Sequence, residues 1–123
     1  MHQLCTLRAL LEDRIPDVAA HGDCVGADAQ FHDICSQLGV WQILVFPTHD
    51  GPLRAHCSST LTAAPTDPLA RNRRIVEVSD LLVAAPDGPE TLRSGTWSTV
   101  RHARRRGRRV VTILRDGSAV EYR

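Results

Sequence analysis

The segment Arg93-Ser94-Gly95-Thr96-Trp97-Ser98-Thr99 carries the sharpest chemical signal in the sequence. Ser94 and Thr96 are good helix caps, and Gly95 lets a ligand approach the backbone closely. The free N–H groups of a helix starting here favour an anion such as phosphate. A second segment, HGDCVGAD at residues 21–28, places Gly22 and Gly26 between a short apolar run and a helical pattern. Asp23 and Asp28 would repel a phosphate set directly on that helix. Their expected roles are therefore capping, or accepting hydrogen bonds from a ribose or a partner arginine. A third segment, Leu69 to Asp80, carries Arg71, Asn72 and Arg74; if it is helical, Arg71 and Arg74 share one side and one of them can reach a ligand.

Other reactive residue types carry less. His21, His49, His56, Cys24 and Cys57 have no structural-zinc spacing, so no metal site is expected. His49 beside Asp50 is an acid–base pair by type, but both read as polar loop residues. Cys24 near a helix start reads as a small buried residue rather than a reactive thiol.

These segments need elements to hold them. Leu4, Leu7, Leu10 and Leu11 recur at helical spacing until Pro16, and Val18–Ala20 is a short strand. Ala27, Phe31, Ile34, Cys35 and Leu38 form a second helical stripe, closed by Gly39 where a left-handed cap is usual. The run WQILVF, 41–46, predicts a strand covered on both faces and ended by Pro47. Beyond it come a helix over 69–78, a strand over 81–85 stopped by Pro86, a helix over 96–106 and a strand over 110–114. The turn Asp116-Gly117 then returns residues 119–122 as an antiparallel strand. Strict alternation implies an α/β fold: a Rossmann-like three-layer sandwich on a mainly parallel sheet of about four to five strands. In such a sheet ligands sit beyond the carboxyl ends of the strands. That rim gathers HGDCVGAD, Pro47-Thr48-His49-Asp50, Pro86-Asp87-Gly88 and the Arg93–Thr99 segment. Residues 47–68 are too long for a simple connector and read as a lid, with Arg54 and His56 as its contacts.

Length and charge bound the function. At 123 residues the chain is sized for one domain spanning 1–123. It shows neither a membrane-spanning apolar run nor a signal pattern, and a cytoplasmic location with reduced cysteines is expected. A net charge of +1 argues against a protein that wraps nucleic acid, although all 15 basic residues are arginine and many crowd 101–109. Those arginines fall at the C-terminal end of a helix, where the macrodipole favours cations, and no aromatics interleave them. A nucleic-acid partner is accordingly not expected.

In order and spacing, HGDCVGADAQFH, PLARNRRIV, SDLLVAAP and RSGTWSTVRHARRRGRRVV resemble the SLOG superfamily of Rossmann-like nucleotide-ligand domains. The superfamily includes the Lonely Guy phosphoribohydrolases, the Rossmann domain of the DNA-processing protein A family, and proposed molybdenum-cofactor carriers. The resemblance runs from about Gln3 to Leu114. It implies a phosphorylated, nucleotide-derived small molecule as ligand, with the chain acting as sensor, carrier or degenerate enzyme. Taken with the strand-end rim, the expected binding residues are Gly22, Asp23, Gly26, Asp28, Pro47, Arg71, Asn72, Pro86, Arg93, Ser94, Gly95, Thr96 and Thr99. Arg71 matches the arginine of the Lonely Guy enzymes, and Gly95-Thr96 match the G-T of their G-G-x-G-T-x-x-E segment. The catalytic Glu of that segment has no counterpart, since Trp97, Ser98 and Thr99 follow. A phosphoribohydrolase-like N-glycosidase is thus the alternative reading, and a DNA-binding module the second alternative. Members usually open with a buried strand before the helix read here at 4–11. Without it, the strands at 18–20 and 81–85 must pair directly, or the space between them must be filled by upstream residues or a partner chain. A homo-oligomer, a dimer, is expected on that ground.

Overall fold

The computed structural model describes residues 2–48 and 51–122. In chain order it contains α1 (His2–Asp13), β1 (Val18–His21), α2 (Ala27–Leu38), β2 (Gln42–Val45), β3 (Leu61–Thr62), α3 (Pro68–Glu77), β4 (Leu81–Ala84), α4 (Gly95–Arg105), β5 (Arg109–Ile113) and β6 (Ala119–Tyr122). Among the described residues no helix is long and apolar enough to cross a membrane.

Local chemistry accounts for the boundaries. Gly39 ends α2 at φ 75°, and its N–H and that of Val40 close on the carbonyls of Ser36 and Cys35. Asp67 caps α3 by accepting from the Leu69 and Ala70 amides, with Pro68 in the first helical turn, where no N–H is needed. Ser94 caps α4 by accepting from Trp97 N–H at 3.2 Å. Gly117, at φ 89°, turns β5 into β6, whose antiparallel pairing matches the expected C-terminal strand.

The continuous parallel sheet expected from the alternation is not what forms. The strands divide into an all-parallel sheet, β1-β2-β3, and a second sheet, β4-β5-β6, in which β4 and β5 are parallel and β6 antiparallel. β1 and β4 do not pair. Each sheet carries its own core. Leu11, Ala19, Ile34, Cys35, Ile43 and Val45 cluster around the first, whereas Val76, Ala84, Trp97, Val100, Ala103 and Val110 cluster around the second. The links between them run through helices, α1 among them, instead of a ladder. The Gln3 amide at the start of α1 donates to the carbonyls of Pro86, just past β4, and Ile113, the last residue of β5, at 3.0 and 2.9 Å. The inner strands are left short of cover: Val18 is 42% exposed, and Leu81, Leu82 and Val83 are only half-buried. β3 has no signal in the sequence, because its two residues are exposed within the 47–68 loop and gain order only by pairing with Leu44 and Val45.

Candidate functional site

The end of β1 runs directly into the HGDCVGAD turn, and the chemistry of that turn follows from one unusual residue. Asp23 adopts φ 58°, which turns its carboxylate inward. Buried to 1% exposure, the carboxylate accepts the Cys57 N–H at 2.8 Å and faces Arg54 Nε at 3.0 Å. Burial alone would raise its pKa; the Cys57 amide and the Arg54 guanidinium outweigh that and hold it below the ordinary carboxylate range. Backbone bonds zip the same turn to the lid, with Val25 N–H donating to Leu53 O at 2.8 Å and Ala55 N–H to Asp23 O at 2.7 Å. Asp28 holds the other side by accepting the Cys24 N–H at 3.0 Å. Both carboxylates thus serve the turn, Asp23 with a partner arginine and Asp28 by accepting a turn amide, while the start of α2 at Gly26 has no side-chain cap. Gly26 starts α2 at φ 91°, a conformation that disfavours any side chain.

Arg71 reaches this turn from α3. Its Nη1 donates to Gly22 O at 2.6 Å and to Phe46 O at 3.3 Å, tying the ends of β1 and β2, while its Nε donates to Asn72 Oδ1 at 2.6 Å. Gly22 is required for that approach: a Cβ there would fall on the guanidinium, 2.7 Å from Cζ. Arg71 Nη2 makes no hydrogen bond among the described residues and is the group Arg71 has left to offer. Arg71, Asp23, Cys24, Thr48, Gly51, Pro52, Leu53, Arg54 and Pro68 line a cavity of about 340 Å³ beyond the ends of β1 and β2.

The other expected contacts are not gathered there. Pro47 and Pro86 are fully buried strand terminators whose carbonyls accept from Thr66 N–H and the Gln3 amide. Arg93, Ser94, Gly95 and Thr96 are not among the residues lining this cavity; Arg93 and Thr96 are exposed, and a Cβ on Gly95 would meet open space. Asn72 and Thr99 line a separate cleft between α3 and α4, together with Leu69, Arg73, Ser98, His102 and Arg105. Arg54 contacts Asp23 and lines the cavity, whereas His56, at φ 56°, is not among the lining residues. His49 and Asp50 lie outside the described residues.

Sequence reasoning missed a buried cluster. His21, His32 and Cys57 bring their ligand-type atoms within 4.8 Å of one another. Spacing conceals the group, since it joins a strand end, a helix face and the lid; the one available signal is that His32 falls one turn after Asp28 on the buried flank of α2. The cluster is internally satisfied. Asp23 N–H donates to His21 Nδ1 at 3.0 Å, so the neutral ring carries its proton on Nε2 and donates it to His32 Nδ1 at 2.9 Å. A metal on His21 Nε2 would force that proton onto Nδ1, against the Asp23 amide, so the donor set does not suit a metal as arranged. Burial pushes the His21 pKa down, with His32 and Arg71 adding to that against the carboxylates of Asp28 and Asp23. Burial, with the neighbouring Asp23 carboxylate, also raises the Cys57 thiol to about 11. Comparison with protein-family models, with curated proteins and with solved structures returns no match to this chain.

Proposed function

We propose that this chain binds a phosphorylated, nucleotide-derived small molecule in the cavity beyond β1 and β2, with Arg71 supplying the positive charge. The cavity at the strand ends carries the reading: about 340 Å³ falls within the size range of small-ligand pockets, and its wall includes a guanidinium held in place by two backbone carbonyls. The rest of its lining, Cys24, Pro52, Leu53 and Pro68 among it, suits the flat apolar face of a base. The resemblance to the SLOG superfamily points to the same ligand class.

Binding without turnover is the form this reading takes. Cleavage of an N-glycosidic bond calls for a carboxylate at the reacting carbon or its water. Among the described lining residues that group is Asp23, already engaged by Arg54 and the Cys57 amide. Calorimetry with a panel of nucleoside mono- and diphosphates tests the proposal. Saturable binding is expected, at least tenfold weaker in Arg71→Met and in Leu53→Trp, which fills the cavity, and unchanged in Gly95→Asp at the open start of α4. Unaltered affinity in folded Arg71→Met and Leu53→Trp would overturn it. Release of free base that survives purification and disappears in Arg71→Met would instead establish the N-glycosidase.

A further inference from the structure

The cleft between α3 and α4 is chemically unlike the cavity. It encloses about 60 Å³, room for a group of a few heavy atoms and too little for a nucleoside, and its polar lining consists of Asn72, Arg73, Ser98, Thr99, His102 and Arg105. No carboxylate lines it. Neighbouring arginines are spent on partners: Arg101 on Glu90, Arg106 and Arg108 on Glu77, Arg109 on Glu121. Arg73 and Arg105 have no ion pair or hydrogen bond among the described residues. The Oδ1 of Asn72 is taken by Arg71 Nε, which leaves its NH2 as the group to offer.

His102 supplies the second, independent sign. Its Nε2 is sealed from solvent and has no hydrogen-bond partner. The nearest carboxylate oxygen, Glu77 Oε1, stands 3.9 Å away, beyond hydrogen-bond reach, and that oxygen already accepts from Arg106 at 2.8 Å. A shielded imidazole nitrogen without a partner is costly, and two unpaired guanidinia lining the same cleft repel each other. One bound oxyanion would answer both.

We propose that the α3–α4 cleft is an oxyanion site that takes a terminal phosphate group, held by Arg73 and Arg105 with donors from Asn72, Ser98 and His102. Guanidinium groups suit phosphate oxygens, and five donors from two helices surround a tetrahedral group better than a flat carboxylate. The site is separate from the cavity: the two lie on different sides of the first turn of α3, one reached by Arg71 and the other by Asn72 and Arg73.

Binding there would change the charge around His102. The groups facing His102 are Arg73 from α3, Arg105 and Arg106 from the end of α4, and Glu77 from α3. Burial, then Arg73 and Arg105, lower its pKa, and the balance leaves it below its ordinary value. A bound phosphate reverses that balance. The test is an NMR titration of the His102 ring against inorganic phosphate, at constant ionic strength with chloride as the control. A saturable rise of the His102 pKa, at least tenfold weaker in Arg73→Gln/Arg105→Gln and retained in the cavity-filling Leu53→Trp, supports the site. Loss of nucleotide binding in Leu53→Trp with phosphate binding intact separates this site from the cavity. A second arm compares a nucleoside 5′-monophosphate with an oligonucleotide lacking terminal phosphates as competitors for inorganic phosphate. Competition by the monophosphate is expected. No shift beyond the chloride control, or competition by the oligonucleotide alone, would overturn the proposal.

Discussion

Asp23 and Arg54 meet across 31 residues of sequence, with Arg54 Nε 3.0 Å from Asp23 Oδ2, and this contact pins the lid to the turn after β1. The Asp23 side chain is 1% exposed and that of Arg54 17%, so solvent screens the pair little. Asp23→Asn should lower stability by about 2 kcal/mol, the scale for hydrogen bonds to a charged group, through the lost ion pair; the positive φ adds nothing to this, since Asn adopts it as readily as Asp. Chemical denaturation measures it, and a loss under about 0.5 kcal/mol would show that the lid holds without the carboxylate.

Two titrations should separate along the pH axis. The pKa of His21 is lowered by folding, so its contribution is complete above the unfolded value near 6.5 and fades as pH falls below it. The pKa of Asp23 is also lowered, so its contribution is complete above roughly 4 and fades only at more acid pH. Denaturation midpoints should therefore decline in two stages on acidification. In His21→Asn the first stage should shrink to the part contributed by His102, whose pKa is also lowered, and the second persist; an unchanged first stage would assign it to His102 or another group.

Gly22→Ala should displace Arg71, because the added methyl occupies the guanidinium's place and Asp28 Oδ2 stands 3.0 Å away on the other side. A destabilisation of about 1–3 kcal/mol is expected, the usual range for overpacking, together with weakened ligand binding. Stability equal to the parent protein would mean that Arg71 has a second seat of equal energy.

Removing the cap of α3 should act on both sites at once. Asp67→Ala leaves the Leu69 and Ala70 amides without their acceptor, at a cost of about 1 kcal/mol, and loosens the turn that carries Arg71 to Arg73. Affinity for phosphate at the cleft and for nucleotide at the cavity should fall together, by severalfold. A change confined to one of them would show that the two sites do not share this turn.

The open inner edge of β1 makes its own prediction. Gln42 N–H donates to Asp17 O and Phe46 N–H to His21 O, so alternate residues from Asp17 to His21 face β2. Val18 and Ala20 then direct their amides to the side where no strand pairs. Hydrogen exchange should find these two amides far less protected than those of Ala19 and His21, and concentration should increase both their protection and the sedimenting mass. Full protection of Val18 and Ala20 in a dilute monomer would show that the gap is closed.

Local chemistry made most elements legible. Helical spacing of leucines, a left-handed glycine after Leu38, Asp67-Pro68 before α3 and Ser94 before α4 each act within a turn or two of chain, and the elements follow them to within a residue or two. The reach of Arg71 to the strand ends was open to a reading of PLARNRRIV as a helix, and so was the pairing of Asp23 with an arginine; the capping role is not what Asp28 plays. What only the tertiary structure decided is who meets whom. Alternation of strand and helix states that strands are parallel but not which ones touch, and here β1 and β4 stand in two separate sheets. Asp23 with Arg54, His21 with His32, and Arg73 with Arg105 are each drawn from separate elements. Their encounters depend on how α3, α4 and the lid pack, a long-range property that no periodicity or spacing within one segment encodes.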